Sequence, residues 1–257
     1  MTNLITRLNA EDLFDQLGGE EEQQLREIEL KDTKLHERLE WHIHAYNYFS
    51  QLNFDKMRQD DVMIDEAGKL MELGPPLSIG REITLLSFLL TKQGHADMRY
   101  GNRVGEYVAA CMRKCNDSEI VIHTGECRAR LLGYGNKGRK IMIEGNAGMH
   151  TGTGMESGLI VVRGDINGAC FGGLNGGELI VEGNSQNCEY LGHFIRGGVI
   201  RIKGSIRNSK IGPVVGGSIY IEGDDLGDCL SSWGYKDQGQ VYHKGVLIWE
   251  KGQAVTT

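Results

Sequence analysis

The side chains able to do chemistry are six cysteines (Cys111, Cys115, Cys127, Cys170, Cys188 and Cys229) and eight histidines in a chain of 257 residues. A cysteine nucleophile needs a base beside it and a polar surrounding. His150 and His193 fall in loops, but no spacing pairs either with a cysteine, so structural thiols are expected. Cys111 and Cys115 are spaced for one helical face, and no further metal ligands stand near them. His36, His42 and His44 cluster without an HExxH pattern. His42 and His44 project to different faces of a helix, and His36 lies too far from His44 to share an ion, so core or surface roles are expected. Gly133-Tyr134-Gly135-Asn136-Lys137-Gly138 matches GxGxxG. A dinucleotide site would need a helix N-terminus after that motif to hold the pyrophosphate. The next predicted element is the strand Ile141–Ile143, which excludes that reading. Asp224, Asp225 and Asp228 form a local acidic group of the kind found in solvated loops. Nothing here assembles a catalytic, cofactor-binding or metal constellation, so all three sets of site residues are expected to be empty.

The elements that would have to position any site repeat along the chain. Six segments share one ending: Ile141–Gly145, Ile160–Gly164, Leu179–Gly183, Ile200–Gly204, Ile219–Gly223 and Val241–Gly245, with a weaker Val121–Gly125 before them. Their terminal glycines are 20, 19, 19, 21, 19 and 22 residues apart. A short β-branched run closed by glycine reads as a strand and a turn. A period near twenty is too short for a β-α-β unit of roughly 30 residues or a propeller blade of roughly 40. It fits one coil of a parallel β-helix. Seven coils spaced ~4.8 Å apart would stand about 30 Å tall.

Period-two logic assigns the faces. Positions two and four before each glycine, such as Ile141 and Ile143 or Ile200 and Ile202, are aliphatic and should fill the shaft. The position three before should face out, yet it reads Met142, Val161, Ile180, Arg201, Tyr220, Tyr242. That column is too apolar for open surface, so another element or a partner chain is expected to cover it. Met142, Val161, Ile180, Tyr220 and Tyr242 are the candidate interface. The residue before each glycine alternates in sign, Glu144, Arg163, Glu182, Lys203, Glu222, Lys244, which stacking would turn into a salt ladder.

The chain divides by composition: 31 of the 37 glycines lie at or beyond Gly101. Residues 1–95 read as a mostly helical segment that caps the first coil, and 96–257 as the glycine-rich β-helix. Leu4, Ile5, Leu8, Leu13, Phe14 and Leu17 begin it amphipathically. Leu39, Ile43, Tyr46 and Phe49 then line one helical face, and Met57–Leu73 a further helix stopped by Gly74-Pro75-Pro76. Ile83–Leu90 is apolar throughout, and periodicity leaves helix or strand open. Residues 101–118 are expected to form an irregular first coil, and Val246–Trp249 a closing strand. The net charge of −7 argues against a nucleic-acid or acidic-membrane binder. No signal segment or membrane span is visible, so a cytoplasmic protein with free thiols is expected.

Gly145-Asn146-Ala147-Gly148-Met149-His150-Thr151-Gly152-Thr153-Gly154-Met155-Glu156-Ser157-Gly158 with the strand to Gly164 resembles one repeat of the GXGXG β-helix family. Asn187-Cys188-Glu189-Tyr190-Leu191-Gly192 followed by Gly197-Gly198-Val199 is similar to the Cys-Glu-Tyr segment of glutamate synthase. The family comprises the C-terminal domain of the glutamate synthase large subunit and the β-helical subunit of formylmethanofuran dehydrogenase. The resemblance spans roughly residues 100–245 and implies a right-handed parallel β-helix without catalytic residues. Flavin, iron–sulfur, molybdenum or tungsten chemistry would belong to partner subunits, with no cofactor held in this chain. The expected role is a non-catalytic structural subunit of an oxidoreductase or C1/amide-transfer complex, docked to catalytic chains. A homo-oligomer through the same column, or a self-contained enzyme or ligand-binding protein using the glycine-rich turns, are the other readings.

Overall fold

Each aliphatic run closed by glycine forms one strand, and each strand pairs in parallel with the one a turn away. The computed structural model describes residues 33–52, 60–92, 103–168, 173–226, 238–251 and 253–255. The amphipathic start over residues 1–24, Met57, Cys170, Cys229, Asp228 and the His36 side chain lie outside the described residues. In chain order the strands are β1 (Glu119–Gly125), β2 (Lys137–Gly145), β3 (Ser157–Val162), β4 (Ile166–Asn167), β5 (Glu178–Val181), β6 (Ser185–Gln186), β7 (Val199–Ile202), β8 (Ile206–Arg207), β9 (Ser218–Ile221), β10 (Gln240–His243), β11 (Val246–Glu250) and β12 (Gln253–Ala254). The main sheet runs β1-β2-β3-β5-β7-β9-β10-β11-β12, and β4-β6-β8 make a narrow second face.

The protein is therefore a parallel β-solenoid. Its seven parallel strands β1, β2, β3, β5, β7, β9 and β10 bound about six turns. The seventh glycine ending does not close another coil. Lys244 and Gly245 have φ of 50° and 80° and turn the chain into an antiparallel hairpin, β10 against β11. The closing strand expected at Val246–Trp249 is present, reversed in direction.

Register sets the core. Ile120, Ile141, Ile160, Leu179, Ile200, Ile219 and Val241 lie opposite one another from coil to coil. All are at most 1% exposed. Burying each such side chain contributes about 1.5–3 kcal/mol before entropy is counted. The turns demand glycine for two reasons at once. Gly177, Gly198 and Gly217 hold φ of 79°, 81° and 73°. A Cβ on Gly198 would lie 2.5 Å from the Gly177 carbonyl oxygen, and one on Gly217 the same distance from Gly198.

The helical layer comprises α1 (Thr33–Gln51), α2 (Asp60–Met71), α3 (Gly80–Lys92) and α4 (Val104–Lys114). Leu39, Ile43, Tyr46 and Phe49 of α1 are buried, as their spacing requires. The Ile83–Leu90 run is helix, α3, and packs on β1. Its start is fixed by the Gly80 N–H, which donates to Asp117 Oδ2 at 2.7 Å. The Ser87 hydroxyl accepts the His123 N–H at 3.0 Å, tying α3 to the first strand. Where an irregular coil was expected over 101–118, the described residues 103–118 form helix α4 with an extended exit. Gly105 belongs to that helix because its bare Cα faces the solenoid: a Cβ there would sit 1.5 Å from the Arg130 carbonyl oxygen. One apolar core runs from Leu35 through the helices to Val241 without a break. Among the described residues no helix is long and apolar enough to cross a membrane.

Candidate functional site

The candidate interface residues come together. The ladder pairs Met142 with Val161, Val161 with Ile180, Ile180 with Arg201, Arg201 with Tyr220 and Tyr220 with Tyr242. They form one column on the outer face of the main sheet, because alternate residues of a strand share a face. Val161 is buried at 7% exposure, and Met142, Ile180, Tyr220 and Tyr242 are half-buried.

The column has two chemistries. From Met142 to Ile180 it is aliphatic. Above that, the Tyr220 and Tyr242 rings stack with centroids 4.7 Å apart and planes within 7°. The Arg201 guanidinium lies over the Tyr220 ring at 4.7 Å, a cation–π contact. Arg201 is held there by Glu178 at 3.5 Å and Glu222 at 3.6 Å. Tyr242 donates its hydroxyl to Gln240 Oε1 at 2.9 Å, and Gln240 donates to Glu250 at 2.8 Å. Arg201 was the member of the column that apolar pattern alone passed over. The signal was an arginine one period before a tyrosine in the same column.

The salt ladder beside the column is continuous over three links only. Glu144 meets Arg163 at 3.7 Å, Arg163 meets Glu182 at 2.9 Å, and Glu182 meets Lys203 at 3.2 Å. Beyond Lys203 the pattern is diverted: Glu222 turns to Arg201, and Lys244 pairs with Asp224. Hydrogen bonds from Arg163 and then Lys203 hold the Glu182 carboxyl below its usual range.

A second ladder escaped sequence reasoning. The residue after the terminal glycine accepts the backbone N–H of its equivalent one coil on. Asp165 N–H donates to Asn146 Oδ1 at 2.8 Å, Asn184 N–H to Asp165 Oδ1 at 2.7 Å, and Ser205 N–H to Asn184 Oδ1 at 2.9 Å. The signal was present as Gly-Asn146, Gly-Asp165, Gly-Asn184 and Gly-Ser205, residue types that bond to nearby backbone.

Among the groups weighed for catalysis, Cys111, Cys188, His42 and His193 each pack against named neighbours. Burial pushes the Cys111 and Cys188 thiols up, so neither is a ready thiolate. The Cys188 thiol lies 3.5 Å from the Gln186 carbonyl oxygen, and its N–H donates to Ser209 Oγ. His42 is buried, with Nδ1 3.0 Å from the Tyr107 hydroxyl and Nε2 2.9 Å from the Pro75 carbonyl oxygen. Burial lowers its pKa, so the ring is held neutral. His193 packs against the Tyr190 and Phe194 rings at 5.3 and 3.9 Å. Gly138 of the GxGxxG stretch lies inside strand β2, so no helix N-terminus follows it. Among the described residues no three His, Cys, Asp or Glu side chains converge to hold a metal ion. No family model matches the chain, and neither does any curated protein or solved structure.

Proposed function

We propose that this chain is a non-catalytic structural subunit that presents the outer face of its main sheet to catalytic chains of an oxidoreductase or C1/amide-transfer complex. The observation that carries the reading is the in-register column Met142–Val161–Ile180–Arg201–Tyr220–Tyr242. A solvent-facing strand column is ordinarily polar. Here it is aliphatic below and aromatic above, flanked by charges already neutralised by one another. Such a strip offers area and rigidity to a partner at small desolvation cost, since its ions need not be stripped of water singly. The resemblance to the GXGXG β-helices supplies the class of partner: chains carrying flavin, iron–sulfur, molybdenum or tungsten.

The reading that uses the glycine-rich turns for ligands has less support. An anion nest needs free amides. Those of Gly135, Gly154, Gly173, Gly197 and Gly216 donate instead to carbonyls, chiefly of the adjacent coil.

The test is native purification through a tag on this chain, read by mass and by visible absorption. The expected result is an assembly well above 28.5 kDa containing cofactor-bearing chains. Tyr220→Asp should release them. A monomer at every step overturns the reading, and a single multiple of the chain mass replaces it with homo-oligomerisation.

A further inference from the structure

At one corner of the solenoid, successive coils bring Gly135, Gly154, Gly173 and Phe194 into a single column. Gly154 N–H donates to Gly173 O and Gly173 N–H to His193 O, at 3.2 and 2.8 Å. The four have φ of 62°, 72°, 75° and 56°. Glycine adopts that left-handed conformation without steric cost, whereas a bulky side chain does not. Among the described residues, each other non-glycine residue in that region has a local reason to be there. Asn187, Asn208 and His150 are types that tolerate it. Lys244 and Lys251 sit in turns between antiparallel strands, and Leu131 is fully buried in the core. Phe194 has no such compensation, for it is 49% exposed. The ring packs against His193 at 3.9 Å, and His193 against Tyr190. Strain held at a solvent-facing apolar group points to a use outside the fold.

The charges around it differ from those elsewhere on the solenoid. Over residues 187–215, Arg201 and Lys203 are paired with glutamates. Arg196, Arg207 and Lys210 are exposed and have no ion-pair partner among the described residues, against one exposed unpaired acid, Glu189. Three cations against one acid reverse the sign of a chain whose net charge is −7. Val215, 38% exposed, lies on the next coil in register with Arg196.

We propose that Phe194 is an apolar knob that enters a socket on a partner protein, with Arg196 and Lys210 facing carboxylates on the socket's rim. This rests on the docking role argued above and adds a second anchor to it, across the Gly197–Gly198 turn from β7. A central aromatic anchor with complementary charge around it is the arrangement that concentrates binding energy and steers approach.

The experiment replaces Phe194 with the photoreactive p-benzoylphenylalanine in the tagged full chain, irradiates the native assembly and maps the adduct by mass spectrometry. An adduct to a different protein, within a peptide rich in Asp and Glu, is expected. An adduct to a second copy of this chain, to lipid, or none within an intact assembly overturns the proposal. Phe194→Asn should melt at the same temperature or about 2–4 °C higher, since asparagine accepts the backbone conformation, yet lose at least tenfold in partner affinity. Should that variant fold poorly, the exposed pair R196E/K210E carries the same affinity test. Undiminished assembly by both variants sinks the knob and leaves strand-face docking standing. A wild-type monomer at every step sinks the docking role itself.

Discussion

In the stacked coils, the recurring polar ties join a side chain to the coil beside it, at a separation of about one period. Asn146, Asp165 and Asn184 accept backbone amides 19 to 21 residues away. In the helical layer, the polar ties join residues that no period relates. Arg38 pairs with Glu82, His42 meets Tyr107, and Arg130 reaches Glu106 from the first turn of the solenoid. The consequence is a difference in how the two regions fail. A coil that loses one side-chain bond keeps its backbone ladder on both sides. The helical layer has one copy of each tie. Conversely, the coil turns at Gly198 and Gly217 pack backbone on backbone with no room for a methyl group, whereas Gly68 in α2 has open space around it.

The largest effect should come from the joint between the two regions. Glu106 is fully buried, with the Arg130 Nε 3.2 Å from its Oε1. Glu106→Ala removes the buried carboxylate that faces a guanidinium only 15% exposed. Removing one partner of such a pair costs about 3–5 kcal/mol. Urea unfolding should show it. Hydrogen exchange should place the loss in α4 and the 125–135 turn, with β5, β7 and β9 still protected. If the destabilisation is spread evenly over the coils, the joint is not the weak point.

One substitution should have opposite signs in the two regions. Gly198→Ala places a methyl group 2.5 Å from the Gly177 carbonyl oxygen at a φ of 81°, and should destabilise by about 2–3 kcal/mol. Gly68→Ala, within α2, meets nothing within 4 Å. It should stabilise by about 0.5–1 kcal/mol, because glycine in a helix interior costs that much. Denaturant midpoints of the two variants falling on the same side of wild type would dissolve the contrast.

A pH titration separates the regions again. Burial lowers the folded-state pKa of His42 below that of the unfolded chain, about 6.5, so the unfolded state binds the proton first. Its contribution is therefore fully present above about pH 6.5 and is lost as pH falls through the folded value. Carboxylates add their own acid dependence, so the measurement is wild type minus His42→Gln. That difference should favour wild type less at pH 5.5 than at pH 7.5, by about 1.4 kcal/mol at most. The loss should appear in near-ultraviolet signals from Trp41 and Tyr107, which pack around the ring.

The same contrast governs how far the amino-acid sequence speaks for itself. Repetition multiplies every signal, so the inward aliphatics, the turn glycines and the outward column were legible from spacing alone. What failed were features that occur once. Val104–Lys114 looked like a glycine-punctuated coil because Gly105 serves a contact with Arg130 that no local pattern announces. Lys244-Gly245 copied the ending of a coil while acting as a hairpin turn. The diversion of Glu222 to Arg201 depends on how far an arginine can reach from a neighbouring column. The Asn146–Asp165–Asn184 ladder was periodic and still missed, because a position that changes between amide, carboxylate and hydroxyl shows neither a constant charge nor apolarity.

The smallest effect should come from the most conspicuous pattern. Arg163 bridges Glu144 and Glu182, and the sign alternation there invites a strong structural role. Its side chain is nevertheless 46% exposed, so water and salt screen both contacts. Ordering a long arginine to hold them also costs rotamer freedom. Arg163→Ala should therefore leave the melting temperature within the scatter of replicate scans at physiological salt. What should change is pairing specificity, because Glu144 and Glu182 then face each other across a gap with no cation between. Lowering ionic strength should expose that repulsion as a drop in melting temperature that wild type does not show. A large loss at physiological salt would mean that the strip is shielded from solvent by something docked upon it. The exposed ladder would then behave like the buried joint at Glu106, and the difference between the two regions would lie in what covers them rather than in how they are built.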